Sequence, residues 1–70
     1  RLDTNLRRAL IYDFQRLRVS LQNRGLNADN FDNIFTALNS RGDLAEFANL
    51  REHLRLRNYK GLIIDIFNLQ

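Results

Sequence analysis

Apolar residues recur every three or four positions along most of this chain, the spacing that turns one face of an α-helix toward a core. Leu6, Leu10, Phe14, Leu17 and Leu21 form one unbroken stripe, which predicts a first helix from about Thr4 to Asn23. Asp3 or Thr4 can accept the free N–H groups at its start, and Asn23, Arg24 and Gly25 end it in the manner of a glycine C-cap. Phe31, Ile34, Phe35 and Leu38 repeat the same spacing. They predict a second helix with Asn27 as N-cap and with Leu26 and Phe31 as the hydrophobic staple around it. Gly42 is expected to stop that helix in the left-handed conformation, which costs glycine no Cβ clash. Asp43 then reads as the N-cap of a third helix, with Glu46 three residues on as an aspartate variant of the capping box. Phe47, Leu50 and Leu54 continue its stripe, and it is expected to end near Asn58.

Tyr59 to Leu69 is the segment with two readings. Leu62-Ile63-Ile64-Asp65-Ile66-Phe67 is rich in β-branched residues, as strands are. No other segment offers a strand to pair with, so the expectation is a fourth helix carrying Tyr59, Leu62, Ile63, Ile66 and Phe67. The fold class that follows is all-α, a small bundle of four helices spanning residues 1–70 as one domain. Its expected core is Leu6, Leu10, Phe14, Leu17, Leu21, Phe31, Ile34, Phe35, Leu38, Phe47, Leu50, Leu54, Leu62 and Ile66.

Composition narrows what such a bundle is for. A chain of 70 residues buries only about 60% of its unfolded surface, so its stability is modest unless a partner adds burial. It has no cysteine, hence no disulfide and no thiolate metal site. That fits a reducing, cytoplasmic setting. No run of about 18 apolar residues is present to span a membrane, and no charged-then-apolar leader opens the chain. The chain begins with Arg1 and not with an initiator Met, which suggests a processed or excised fragment.

The formal charge is +3, and every basic residue except Lys60 is arginine. Arginine's planar fork pairs with carboxylate and phosphate alike. Arg7, Arg8, Arg16 and Arg18 on the first helix, with Arg51, Arg55 and Arg57 on the third, offer a basic surface of the kind phosphate binding needs. Asp13, Glu46 and Glu52 are interspersed with them, and most aromatics lie on core stripes where they cannot stack on bases.

Catalytic chemistry finds no foothold. His53 is the only histidine, and its neighbour Glu52 points to a different side of a helix. Asp29 and Asp32 fall in the first turns of a helix, where negative charge complements the dipole. Asp43 and Glu46 are accounted for as a cap. There is no glycine-rich phosphate loop, and Ser20 and Ser40 have no evident base. The expectation is a protein that is not an enzyme and carries no cofactor or metal.

One surplus is left over. Ile11, Tyr12 and Val19 lie roughly opposite the first helix's core stripe, Leu56 points away from the third helix's stripe, and Ile64 lies on the far side of the fourth. A contiguous apolar patch usually marks an interface. Arg8 and Arg18 flank it, and arginine with tyrosine is a common hot-spot composition. The candidate interface is therefore Arg8, Ile11, Tyr12, Arg18, Val19, Leu56 and Ile64.

The stretch Ile34-Phe35-Thr36-Ala37-Leu38-Asn39-Ser40-Arg41-Gly42-Asp43-Leu44, followed by Asn49-Leu50-Arg51-Glu52-His53-Leu54 and Gly61-Leu62-Ile63, resembles the later helices of a death effector domain. Bacterial effector-associated domains are similar as well; in them Leu6-x-x-Ala9-Leu10 and Phe14 would match an early helix. The resemblance to this death-fold superfamily covers about half the chain and rests on apolar spacings. It implies a non-enzymatic adaptor that recruits like domains through charged and apolar patches. The function expected from the whole sequence is protein–protein interaction, as an adaptor or oligomerisation module. The alternative is a small basic nucleic-acid-binding domain.

Overall fold

A computed structural model describes residues 3–68, and all of its regular structure is helical. Four α-helices follow in order: α1 (Thr4–Asn23), α2 (Phe31–Ser40), α3 (Ala48–Leu56) and α4 (Lys60–Asn68). A 3₁₀ helix, Gly42–Phe47, leads into α3. The all-α bundle expected from the spacing is thus the observed architecture. Leu69, the last residue of the predicted fourth helix, lies outside the described residues.

Both ends of α1 are set by local chemistry. The Asp3 carboxylate accepts the Asn5 N–H at 3.3 Å, capping the first turn. At the other end Gly25 takes φ +76°, a left-handed conformation that glycine adopts without strain. The Leu26 N–H then donates to the Leu21 carbonyl at 2.9 Å, and the Gly25 N–H to Gln22 at 3.0 Å. These two bonds are the Schellman pattern, and its usual apolar contact is present because Leu26 packs against the core that buries Leu21.

The other boundaries differ from those the sequence predicts. Asn27 does not cap α2: its side chain accepts the Asp29 N–H at 2.8 Å, a local turn. Asn30 is the N-cap, accepting the Asn33 N–H at 2.8 Å, so α2 starts one turn later and Leu26 and Phe31 are not its staple. Between the two asparagines Ala28 is drawn into the core, which keeps that stretch out of the helix. Gly42 is not the stop of α2 either. Arg41 already leaves the helix in an extended conformation (φ −101°, ψ 116°), and the only glycine with positive φ is Gly25.

Asp43 is likewise not an N-cap, because the segment after it winds as a 3₁₀ helix without a side-chain cap. In that geometry residues three apart eclipse each other. Leu44 and Phe47 therefore both face inward and are buried, and Leu50 follows at the same interval. α3 ends at Leu56, two residues before the expected Asn58, and Asn58 supplies the left-handed turn (φ 53°) into α4. Asparagine is the residue that replaces glycine there most readily.

α1 is the common partner: α2, α3 and α4 each pack against it. Leu10, Phe14, Leu17 and Leu21 of its inner stripe are buried, and Leu6 is half-buried. Phe14 joins three helices. Its ring stacks on Phe31 of α2 at 5.7 Å and receives the edge of Phe67 of α4 at 6.1 Å. Phe31 stacks in turn on Phe35 at 5.9 Å.

α4 is rotated from the predicted face. Ile63 is its fully buried residue, and Tyr59, Ile64 and Phe67 pack against the core, whereas Leu62 and Ile66 are only half-buried at its margin. Contacts from other helices set this rotation. Phe67 seats against Phe14, and the Lys60 ammonium lies 5.4 Å from the Phe35 ring and 5.8 Å from that of Phe31. Ala28 and Leu44 join the core beyond the expected set, while Phe35 sits at its edge, half-buried.

A contrast between two phenylalanines tests this core. Truncation of a buried Phe costs about 3–5 kcal/mol, so Phe14→Ala should remove most of the stability of a domain this small. Phe35→Ala should cost clearly less. Urea denaturation followed by circular dichroism orders the two; equal losses would mean that Phe14 is not the junction of the helices.

Candidate functional site

Because α2, α3 and α4 pack on the inner side of α1, the side opposite Leu10, Phe14, Leu17 and Leu21 faces solvent. Tyr12 and Val19 lie there, two turns apart, and are 66% and 54% exposed. Arg8 is exposed one turn before Tyr12. A shallow groove of about 470 Å³ runs along this face between α1 and the 3₁₀ helix. Tyr12, Gln15, Arg16 and Val19 line it from α1, and Glu46 and buried Phe47 from the 3₁₀ side.

Arg16 holds the two sides together. Its guanidinium lies 5.0 Å from the centre of the Phe47 ring and 5.8 Å from that of Tyr12, with the Asp13 carboxylate 3.7 Å from Nε. Arginine over an aromatic face is attracted by the ring quadrupole. Tyr12 and Arg16 are one turn apart, which places their side chains together on the helix surface.

The 3₁₀ wall is tethered at its far end. Arg41 donates to Asp43 through Nε (3.1 Å) and Nη2 (2.8 Å), a bidentate grip. Arg24, at the end of α1, brings its Nε to 3.6 Å from the same carboxylate. The hydrogen bonds from Arg41, reinforced by the charges of Arg41 and Arg24, hold the Asp43 carboxyl below the ordinary aspartate value of 3.8.

The residues nominated from sequence do not form one patch. Arg8, Tyr12 and Val19 share the outer face of α1. Ile11 and Arg18 are half-buried on its flank, where the Arg18 guanidinium rests 4.5 Å from the Phe67 ring of α4 and donates to Gln15 at 3.3 Å. Leu56 is 68% exposed at the end of α3, but it does not line the groove. Ile64 is a correction: it packs against the core and does not lie on the far side of α4, because of the rotation imposed by Phe67 and Lys60. Sequence reasoning missed Phe47 as the groove's floor, since a core position carries no sign of its outer edge. The interval between Tyr12 and Arg16 was the one local signal for Arg16.

The arginines nominated as a basic surface are partly neutralised. Arg16 faces Asp13, and Arg55 grips both oxygens of Glu52 at 3.1 and 2.9 Å. Arg7, Arg8, Arg51 and Arg57 have no ion pair among the described residues. His53 stacks on Tyr59 at 6.2 Å across the α3–α4 turn, a packing role. Among the described residues no cluster of His, Asp and Glu is arranged to hold a metal ion, and no helix is long and apolar enough to cross a membrane.

Comparison with protein-family models, curated proteins and solved structures gives no match.

The tether makes the groove wall sensitive to acid. Asp43 binds its proton less readily in the fold than in the unfolded chain, so its contribution is complete above the unfolded value and is lost as pH falls through the lower folded one. Asp43→Asn should lower the melting temperature at neutral pH, and the difference from wild type should close below about pH 4. A difference that persists unchanged at low pH would mean that the Asp43 charge plays no part in the tether.

Proposed function

We propose that this domain is a non-enzymatic protein–protein interaction module, an adaptor or oligomerisation unit, that binds another polypeptide through the outer face of α1. The observation that carries the reading is the exposure of Tyr12 and Val19 beside a groove floored by Phe47. An apolar strip rimmed by charge is the usual anatomy of a binding surface. Tyrosine and arginine, here Tyr12 with Arg8 and Arg16, are the residues that most often carry binding energy. The resemblance to death-fold adaptors points to the same class, and a chain without cysteine suits the reducing cytoplasm. A phosphate-binding surface is disfavoured by the carboxylates that already occupy Arg16 and Arg55.

Selection of peptides from a displayed library tests this reading. Peptides that bind the wild-type domain should lose at least about tenfold in affinity, or about 1.4 kcal/mol, for the double variant Tyr12→Ser with Val19→Asp. Circular dichroism of that variant should be unchanged, since both residues are exposed. Selected peptides that bind the variant equally well would move the surface elsewhere. Failure to select any, together with DNA or RNA binding that weakens steeply with salt, would establish the nucleic-acid reading instead.

A further inference from the structure

We infer that the partner of the α1 face is acidic: an amphipathic helical segment of another protein, whose apolar stripe covers Tyr12 and Val19 and whose carboxylates meet the arginines beside them. This deepens the reading of α1 as a binding surface and rests on it.

The distribution of charge carries the inference. α1 holds four arginines, Arg7, Arg8, Arg16 and Arg18, against one carboxylate, Asp13. The helix alone is therefore +3, which is the formal charge of the whole chain, so all other residues together balance to zero. Charge that serves solubility needs no particular place on a surface; here the excess gathers on the one helix that leaves a face without a partner. Asp13 offsets only Arg16: it is half-buried, with its carboxylate 3.7 Å from Nε of that residue. Arg7 and Arg8 are exposed and have no ion pair among the described residues. The Asp3 carboxylate, four positions before Arg7, is engaged in capping, since it accepts the Asn5 N–H. The first turn of α1 holds no acidic residue.

Position ties this charge to the groove. Arg8 stands one turn before Tyr12 and Arg16 one turn after it, which makes both its neighbours on the helix surface. A partner that covers Tyr12 also takes water from Arg8, and a cation desolvated without a counter-charge is costly. Carboxylates along one edge of the partner remove that cost. Glu46 lines the opposite wall, so the acidic edge belongs over Arg7 and Arg8, away from the 3₁₀ helix.

The shape of the partner follows from the fold. All regular structure among the described residues is helical, so no sheet edge is offered for an extended peptide to join. A groove between two helical elements is instead the seat of an amphipathic helix. Tyr12 and Val19 are two turns apart, and a helix presents its own apolar residues at the same interval. A phosphate backbone has no apolar group with which to cover Val19, and Asp13 and Glu46 stand close enough to repel it.

A displayed library of amphipathic helices, its apolar positions fixed and its polar positions free to be acidic, basic or neutral, tests this on the 70-residue domain. The helices selected should be rich in Asp and Glu along one edge of the stripe. A synthetic peptide made from the strongest should bind at least about tenfold more weakly at about 0.5 M than at about 0.05 M salt, because salt screens exposed charges. Arg8→Glu should weaken the same peptide at least about tenfold. Arg57→Glu makes the same change of charge at an exposed residue beyond the end of α3, outside the groove, and should leave affinity within about twofold. Arg7→Glu takes the place of Arg8→Glu if the latter fails to fold by circular dichroism. Neutral or basic helices that require Tyr12 and Val19 overturn the acidic partner and leave the α1 face as the binding surface. Acidic helices weakened equally by Arg8→Glu and Arg57→Glu answer to overall charge and also overturn it. Helices indifferent to Tyr12→Ser with Val19→Asp reject both readings. If no helix is selected the inference falls, and duplex DNA or single-stranded RNA bound through Arg8 would then assign the face to nucleic acid.

Discussion

The structure depends on the inner face of α1. It is the one surface that every other helix shares, and Phe14 is where α1, α2 and α4 meet. The arrangement follows from size. α1 is 20 residues long, about 30 Å at the rise of an α-helix, and the whole domain measures 35 × 25 × 17 Å. Packed helices stand about 8–10 Å apart, so a shortest dimension of 17 Å holds two layers and no more. A helix in a two-layer domain has to leave one side in water. The exposed strip on α1 is therefore a consequence of building a long helix into a short chain. What distinguishes this strip is that tyrosine and valine stand where polar residues would cost nothing.

The same economy explains the polar contacts around the groove. With few residues to enclose a core, long cationic side chains cover aromatic rings: Arg16 covers Phe47, Arg18 covers Phe67, and Lys60 covers Phe31 and Phe35. Their stems bury apolar surface while their charged heads reach water. The preference for arginine thus serves packing as well as solubility. It also means that formal charge overstates how much cationic surface is available to a phosphate.

Much of the fold could be read from the chain, and the reasons for the failures are specific. Both ends of α1 were legible because Asp3 and Gly25 act within a few residues of themselves. The helical character of α4 was legible because no strand partner exists. The start of α2 was not, since Asn27, Asp29 and Asn30 are all competent caps and the burial of Ala28 decides among them. Asp43 was misread because its carboxylate is taken up by Arg41 and, at longer range, by Arg24, and because the segment after it winds as an uncapped 3₁₀ helix. The face of α4 was misplaced because its apolar arc is wide and only contacts with Phe14, Phe31 and Phe35 fix its rotation. The site divides the same way. Tyr12, Val19 and Leu56 were legible as exposed from helical geometry alone, whereas Ile64 and the Phe47 floor depended on packing between elements.

If the inner face of α1 carries the fold, no other helix should outlast it. Native-state hydrogen exchange, measured residue by residue at rising urea below the unfolding transition, tests this most directly. The amides from Leu10 to Leu21 should be the slowest in the domain and should exchange only through global unfolding, with α2, α3 and α4 opening at the same free energy or below it. Protection of Leu38, Leu50 and Leu54 under conditions where α1 already exchanges would contradict the account, because it would show a core that stands without the helix on which it is said to rest.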